Sequence, residues 1–183
     1  SQLAKVRVSD HGLGIAPTPP ERMEELRSEL KRQNLDGFII PRSDEHQGEY
    51  VAQHSERLAW VTGLTASAGL AIALVNAAAV FVDGRYILQA EAQVNGEIFE
   101  RRHLIDEPAT DWIVDNLSKD GKLGYDPWLL TPGQVNRYAA ACKQAGGTLV
   151  PVTKNPVDAV WNNQPPPPLA PVWCLDDALT GET

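Results

Sequence analysis

The densest group of chemically capable side chains is a short polar stretch, Asp44-Glu45-His46-Gln47-Gly48-Glu49-Tyr50. It follows the apolar run Phe38-Ile39-Ile40, stopped by Pro41, so it reads as a loop leaving a buried strand. Ligands of open α/β sheets gather outside the carboxyl ends of strands. Asp44, Glu45, His46, Gln47 and Tyr50 would offer a groove or an interface a general base and several hydrogen-bonding groups. The same residue types also make an ordinary solvated loop, which is the competing reading. Asp83-Gly84-Arg85-Tyr86 is the second candidate. Asp83 suits the capping of a following helix, and Arg85 could grip a carboxylate through its planar fork.

Other chemistries lack their patterns. His46 and His54 are the histidines nearest each other, but zinc needs three or four donors at suitable spacing. There is no HExxH or CxxC, and His11 and His103 are remote in sequence. The stretch GLTASAG, from Gly63 to Gly69, has neither GxGxxG spacing nor a Gly-Lys-Ser/Thr ending. No serine sits in a GxSxG elbow. No catalytic residue and no metal ligand is therefore assigned within this chain.

The elements that must position these residues centre on ASAGLAIALVNAAAVFVDGRYILQ, residues 66–89. Two nearly continuous apolar runs, residues 69–75 and 78–82, flank Asn76-Ala77 and predict a hairpin of buried strands. Ile87, Ala90 and Val94 then fall at helical spacing within residues 85–94. Upstream, Thr18-Pro19-Pro20-Glu21 is a capping box that starts a helix burying Met23, Leu26 and Leu30, with Glu24, Arg27 and Arg32 away from that face. A helical piece covers residues 55–61 and ends at Thr62-Gly63. Downstream, residues 97–104 read as a strand. Pro108 opens a helix with Ala109, Trp112, Ile113 and Leu117 inward, and residues 122–125 form a strand. Thr131-Pro132-Gly133-Gln134 is a second capping box, opening a helix that turns Val135, Tyr138, Ala139, Cys142 and Ala145 inward. Residues 148–152 give the last strand, and residues 155–161 a last helical turn.

Alternating strands and helices predict an α/β fold with three layers, α/β/α, around a mixed sheet. The hairpin is expected to supply its one antiparallel pair. Residues 1–17 read as an N-terminal arm and 18–161 as the folded domain. Residues 162–183, containing Pro165-Pro166-Pro167-Pro168, read as a Pro-rich linker acting as a semi-rigid spacer toward a further domain. The start at Ser1 points to processing or truncation. The five tryptophans, Trp60, Trp112, Trp128, Trp161 and Trp173, suit core or interface anchoring.

Bulk properties exclude several classes. The 24 acidic residues outnumber 16 basic ones, a net charge of −8, which repels phosphate backbones and argues against nucleic acid. No apolar run approaches the ~20 residues of a membrane span. The start SQLAKVRVSD lacks a signal-peptide core, and the two cysteines, Cys142 and Cys174, suggest no disulfide framework. A cytoplasmic location is expected.

Five segments in order, DGFIIPRSDEHQGEY, ERLAWVTGLTASAGLAIAL, AAVFVDGRYILQAEAQV, KLGYDPWLLT and GGTLVPVTKNPVDAVW, carry a family resemblance. Together they resemble the amino-terminal domain of a three-domain Xaa-Pro aminopeptidase. The resemblance implies a ribonuclease-H-like mixed sheet, as in creatinase and prolidase amino-terminal domains. It also implies a full-length hydrolase that removes the N-terminal residue preceding proline. Its two divalent metals, typically manganese, would sit in a pita-bread catalytic domain that this chain lacks. This domain would then be noncatalytic, shaping substrate access or assembly. Asp44, Glu45, His46, Gln47, Tyr50 and Arg85 become candidates to face the substrate groove or an interface. The expected partners are the chain's own second and catalytic domains, proline-containing peptides as the parent's substrates, and a second copy in a homodimer. The rival readings are a creatinase-like or prolidase-like parent and an independent binding or scaffold module.

Overall fold

A computed structural model describes residues 17–43, 51–66 and 68–167. The first helix, α1 (Pro19–Arg32), starts where the capping box puts it, with the Thr18 N–H donating to Glu21 Oε2 at 2.7 Å. Met23, Leu26 and Leu30 are buried beneath it. Arg27 leans back across the sheet end and donates to Leu74 O at 3.0 Å, so it is less removed from the packed side than the spacing predicts. Glu29 is buried too, satisfied by Arg32 at 2.7 Å and Gln33 at 3.0 Å.

The chain then forms β1 (Gly37–Pro41), a 3-10 turn at Gln53–Ser55 and α2 (Arg57–Thr62). Gly63 closes α2 with φ 81°, a left-handed conformation that only glycine adopts cheaply. The hairpin follows as β2 (Leu70–Leu74) and β3 (Ala78–Val82), every residue of both strands buried. A 3-10 turn, Gly84–Tyr86, leads into α3 (Ile87–Gln93). Then come β4 (Glu100–His103), α4 (Ala109–Asn116), β5 (Lys122–Tyr125), α5 (Pro132–Ala145), β6 (Thr148–Pro151) and α6 (Pro156–Val160).

The six strands form one sheet in the order β4-β3-β2-β1-β5-β6. β2 is antiparallel to both neighbours, while β3–β4, β1–β5 and β5–β6 are parallel. The sheet therefore has two antiparallel pairings rather than the one expected from the hairpin. The reason lies in the connection from 42 to 69. It contains a helix, yet it leaves and re-enters at the same sheet edge, because Pro41 is in register with Leu70. β4 is also shorter than the predicted strand, since residues ahead of it are held in turns by bonds such as Phe99 N–H to Asn95 O at 3.0 Å.

Two buried clusters confirm the layers. One face gathers Leu26, Leu30, Phe38, Val80, Ala90 and Val157, covered by α1, α2, α3 and α6. The other gathers Ile39, Phe81, Trp112, Ile113, Leu123 and Cys142 beneath α4 and α5. On α5 the buried residues are Tyr138, Ala141 and Cys142, with Val135 and Ala145 only partly covered. No described helix is long and apolar enough to cross a membrane.

Candidate functional site

Because β1, β3, β4, β5 and β6 run in one direction, the residues leaving them collect at a single edge of the sheet. The second candidate stretch, Asp83–Tyr86, follows β3 there. Asp44, Glu45, His46, Gln47 and Tyr50 lie outside the described residues, but the start of their connection is placed. Arg42 Nη2 pairs with Glu56 Oε1 at 3.2 Å, and Ser43 Oγ donates to Leu129 O at 2.8 Å. The structure thus ties the departure from β1 to the loop after β5.

Asp83 ends β3 with its backbone extended, and its side chain caps the following turn by accepting the Arg85 N–H at 2.9 Å. The same carboxylate receives Arg85 Nη2 at 2.8 Å and Nε at 3.3 Å. The guanidinium lies over the Tyr86 ring, 5.3 Å from its centroid and inside the ~6 Å reach of a cation–π contact. Arg85 nevertheless remains 76% exposed, so it is aimed outward from a braced position. Among the described residues nothing engages its Nη1, which leaves that group free to donate. A prearranged arginine of this kind suits a peptide carbonyl or carboxylate.

The hydrogen bond from the Arg85 side chain, and then that from its backbone N–H, hold the Asp83 carboxyl below its ordinary value. Asp83 in turn raises Arg85. With a depressed folded-state value, the pair is intact above the ordinary aspartate range and opens as pH falls through the lowered one. An NMR titration of the Asp83 carboxyl carbon should therefore give a midpoint below the ~3.9 of an unperturbed aspartate. Arg85→Ala should return it toward that value.

Further along the same edge, on the α4–α5 side, a crevice of about 460 Å³ opens. Arg42, Ser43, Gly69, Leu104, Thr110 and Tyr138 are among its walls. It opens at the sheet end where β1 stops and its antiparallel neighbour β2 starts, with Pro41 and Leu70 in its lining. Burial raises the Tyr138 phenol, so it stays protonated and able to donate. Sequence spacing had marked Tyr138 as core, with no sign of this second role as a wall. The large apolar side chains Leu88, Ile105 and Trp128 are 80%, 74% and 73% exposed, and they follow β3, β4 and β5 respectively.

A dinuclear metal centre needs a cluster of carboxylates and imidazoles. Among the described residues no three His, Cys, Asp or Glu side chains converge in a way that could hold a metal ion. His54, one of the two histidines weighed as ligands, instead points Nδ1 at Pro165 O, 2.7 Å away. No metal step is derived from these residues.

With this geometry in place, comparison with known proteins is direct. A family model described as the Creatinase/Prolidase N-terminal domain matches residues 22–160. The chain belongs to that family. Among curated relatives of this family domain, Xaa-Pro aminopeptidase 2 of Homo sapiens is 39% identical over 159 residues, covering 86% of this chain and 24% of the relative. Aminopeptidase P1 of Lotus japonicus is 39% identical over 133 residues, covering 72% of this chain and 20% of the relative. The chain therefore spans about a quarter or less of the relatives it matches. Among solved structures, the X-prolyl aminopeptidase from Caenorhabditis elegans, described as a cytosolic enzyme with a di-nuclear active site, superposes with a TM-score of 0.74. It is 25% identical, over 82% of this chain and 26% of that one. The N-terminal domain of the cytoplasmic peptidase PepQ from Mycobacterium tuberculosis H37Rv gives 0.58 at 20% identity, covering 76% and 97%, a likeness of fold alone. The creatinase/prolidase-like α/β fold expected from the sequence is thus the fold observed.

Proposed function

We propose that this chain is the noncatalytic amino-terminal domain of a cytoplasmic Xaa-Pro aminopeptidase. The full-length enzyme would remove an N-terminal residue preceding proline, using two divalent metals, manganese by expectation, held in a separate catalytic domain. The observation that carries this reading is the 39% identity to a Xaa-Pro aminopeptidase over 86% of this chain but only 24% of that protein. The braced Arg85 and the exposed Leu88, Ile105 and Trp128 all lie past strand ends on one edge, which suits that edge to face the catalytic domain and its peptide groove. The crevice walled by Ser43 and Tyr138 lies on the same edge. Assembly as a homodimer through this domain is the companion proposal.

Two assays test the reading. The 183-residue chain supplied with manganese and an Xaa-Pro peptide should give no hydrolysis above the metal alone. In the full-length enzyme, Arg85→Ala should lower kcat/KM for Xaa-Pro peptides by about 10- to 100-fold, the worth of one hydrogen bond from a charged group. Turnover by the isolated chain would defeat the noncatalytic assignment. Unchanged kinetics in Arg85→Ala would remove Arg85 from the groove.

A further inference from the structure

The segment after α6 does not leave the domain at once. Trp161 stacks on Trp60 of α2, with ring centroids 5.5 Å apart and planes at 22°. Gln164 Nε2 then donates to two acceptors, His54 O at 2.8 Å and Asp158 Oδ1 at 2.9 Å. One residue on, Pro165 O meets His54 Nδ1 at 2.7 Å. Gln164 and Pro165 are half-buried, whereas Pro166 and Pro167 are exposed. The chain is therefore fastened up to Pro165 and lifts off the surface at Pro166.

We propose that residues 161–167 form an anchored strut that fixes the direction in which the chain leaves this domain, with His54 as its latch. A proline run is extended and stiff, rising ~3.1 Å per residue, but stiffness alone does not orient it. A stiff rod on a loose hinge still sweeps a wide cone. Here the hinge is closed on two sides, by Gln164 reaching inward and by His54 reaching outward to the first proline carbonyl. Proline has no backbone N–H, so no amide of the following prolines can donate to Pro165 O and its donor must come from elsewhere. A carbonyl can only accept, which requires the proton of neutral His54 to sit on Nδ1. His54 acts as a positioning residue: it touches no reacting atom, and its effect passes through the linker. The foundation beneath it is firm. Arg57, 3% exposed, holds Asp158 through Nε at 2.7 Å and Nη2 at 3.0 Å, and Asp158 in turn receives Gln164.

This inference is independent of the catalytic reading, since it concerns only the path of the chain. Its test is NMR of the 183-residue chain. The ring shifts of His54 should report the Nδ1–H tautomer at neutral pH. Residual dipolar couplings of Asn162, Asn163 and Gln164 should fit the alignment of the domain. In His54→Ala, the backbone amide of Gln164 should exchange about tenfold faster, the equivalent of one lost hydrogen bond, and its couplings should shrink, the remaining anchors keeping them above zero. His54→Asn, whose side-chain nitrogen takes the place of Nδ1, should restore wild-type behaviour, while His54→Gln should not. Unchanged core amide shifts in each variant establish that the domain is still folded. An Nε2–H tautomer, or couplings and exchange at Gln164 that His54→Ala leaves unaltered, would overturn the latch.

Discussion

Replacing Asp158 by Ala should destabilise the domain by about 3 kcal/mol, the lower end of the loss seen when one member of a buried ion pair is removed. Arg57 is 3% exposed and lies 2.7 Å from Asp158 Oδ1, whereas the Asp158 side chain is 32% exposed. Solvent reaches one member of the pair, which is why the lower end applies. For a chain of this size such a loss lowers the melting temperature by about 6–12 °C. Thermal unfolding followed by circular dichroism checks it. Asp158→Asn separates charge from shape, since the amide retains one acceptor for Arg57 but not the carboxylate's charge. It should lose less than Asp158→Ala. Equal stability of Asp158→Ala and the parent chain would mean that solvent already serves Arg57 as well as the carboxylate does.

The second large effect lies on the opposite face. Phe81→Ala should cost about 3–5 kcal/mol, combining lost transfer energy with an unfilled cavity. Phe81 is fully buried in β3, and its ring meets Trp112 of α4 edge-on, centroids 6.1 Å apart at 78°. Trp112 cannot simply slide in, because its indole N–H is held by Glu100 Oε2 at 3.2 Å. Chemical denaturation is the suitable measurement, with a lower midpoint and an unchanged slope. A changed slope would instead report a more compact denatured chain or a broken two-state transition. Phe81 also stands two residues ahead of Asp83, so softening this strand should blur the bracing of Arg85 as well.

Local signals made much of this fold readable in the amino acids. The box at Thr131 needed only four residues to announce α5, and its Gln134 is the partner found, with Oε1 accepting the Thr131 N–H at 2.9 Å. The hairpin was equally plain, because two residues between two apolar runs leave the backbone few choices. The direction of β2 relative to β1 was not readable. It depends on where a 28-residue connection (42 to 69) comes back to the sheet, and no residue within it encodes that edge. Arg85 was visible as a candidate because it stands beside a strand-ending Asp-Gly. Its bracing by Asp83 through three atoms was not, since it follows from a side-chain conformation rather than from spacing. His54 carried the least signal. Its partner is more than a hundred positions away, beyond any periodicity or motif.

The lone reversed strand also dictates an order of assembly. β2 and β3 are joined by Val75, Asn76 and Ala77 alone, and such a pair closes within microseconds. β1 must wait for β5, because Gly37 aligns with Leu123 and the whole hairpin, β4 and α4 intervene. Closing so wide a loop is slow on entropic grounds. During that wait the β1 edge that β5 will cover stays open, so refolding yield should fall with protein concentration more steeply than the native domain's own charge would suggest.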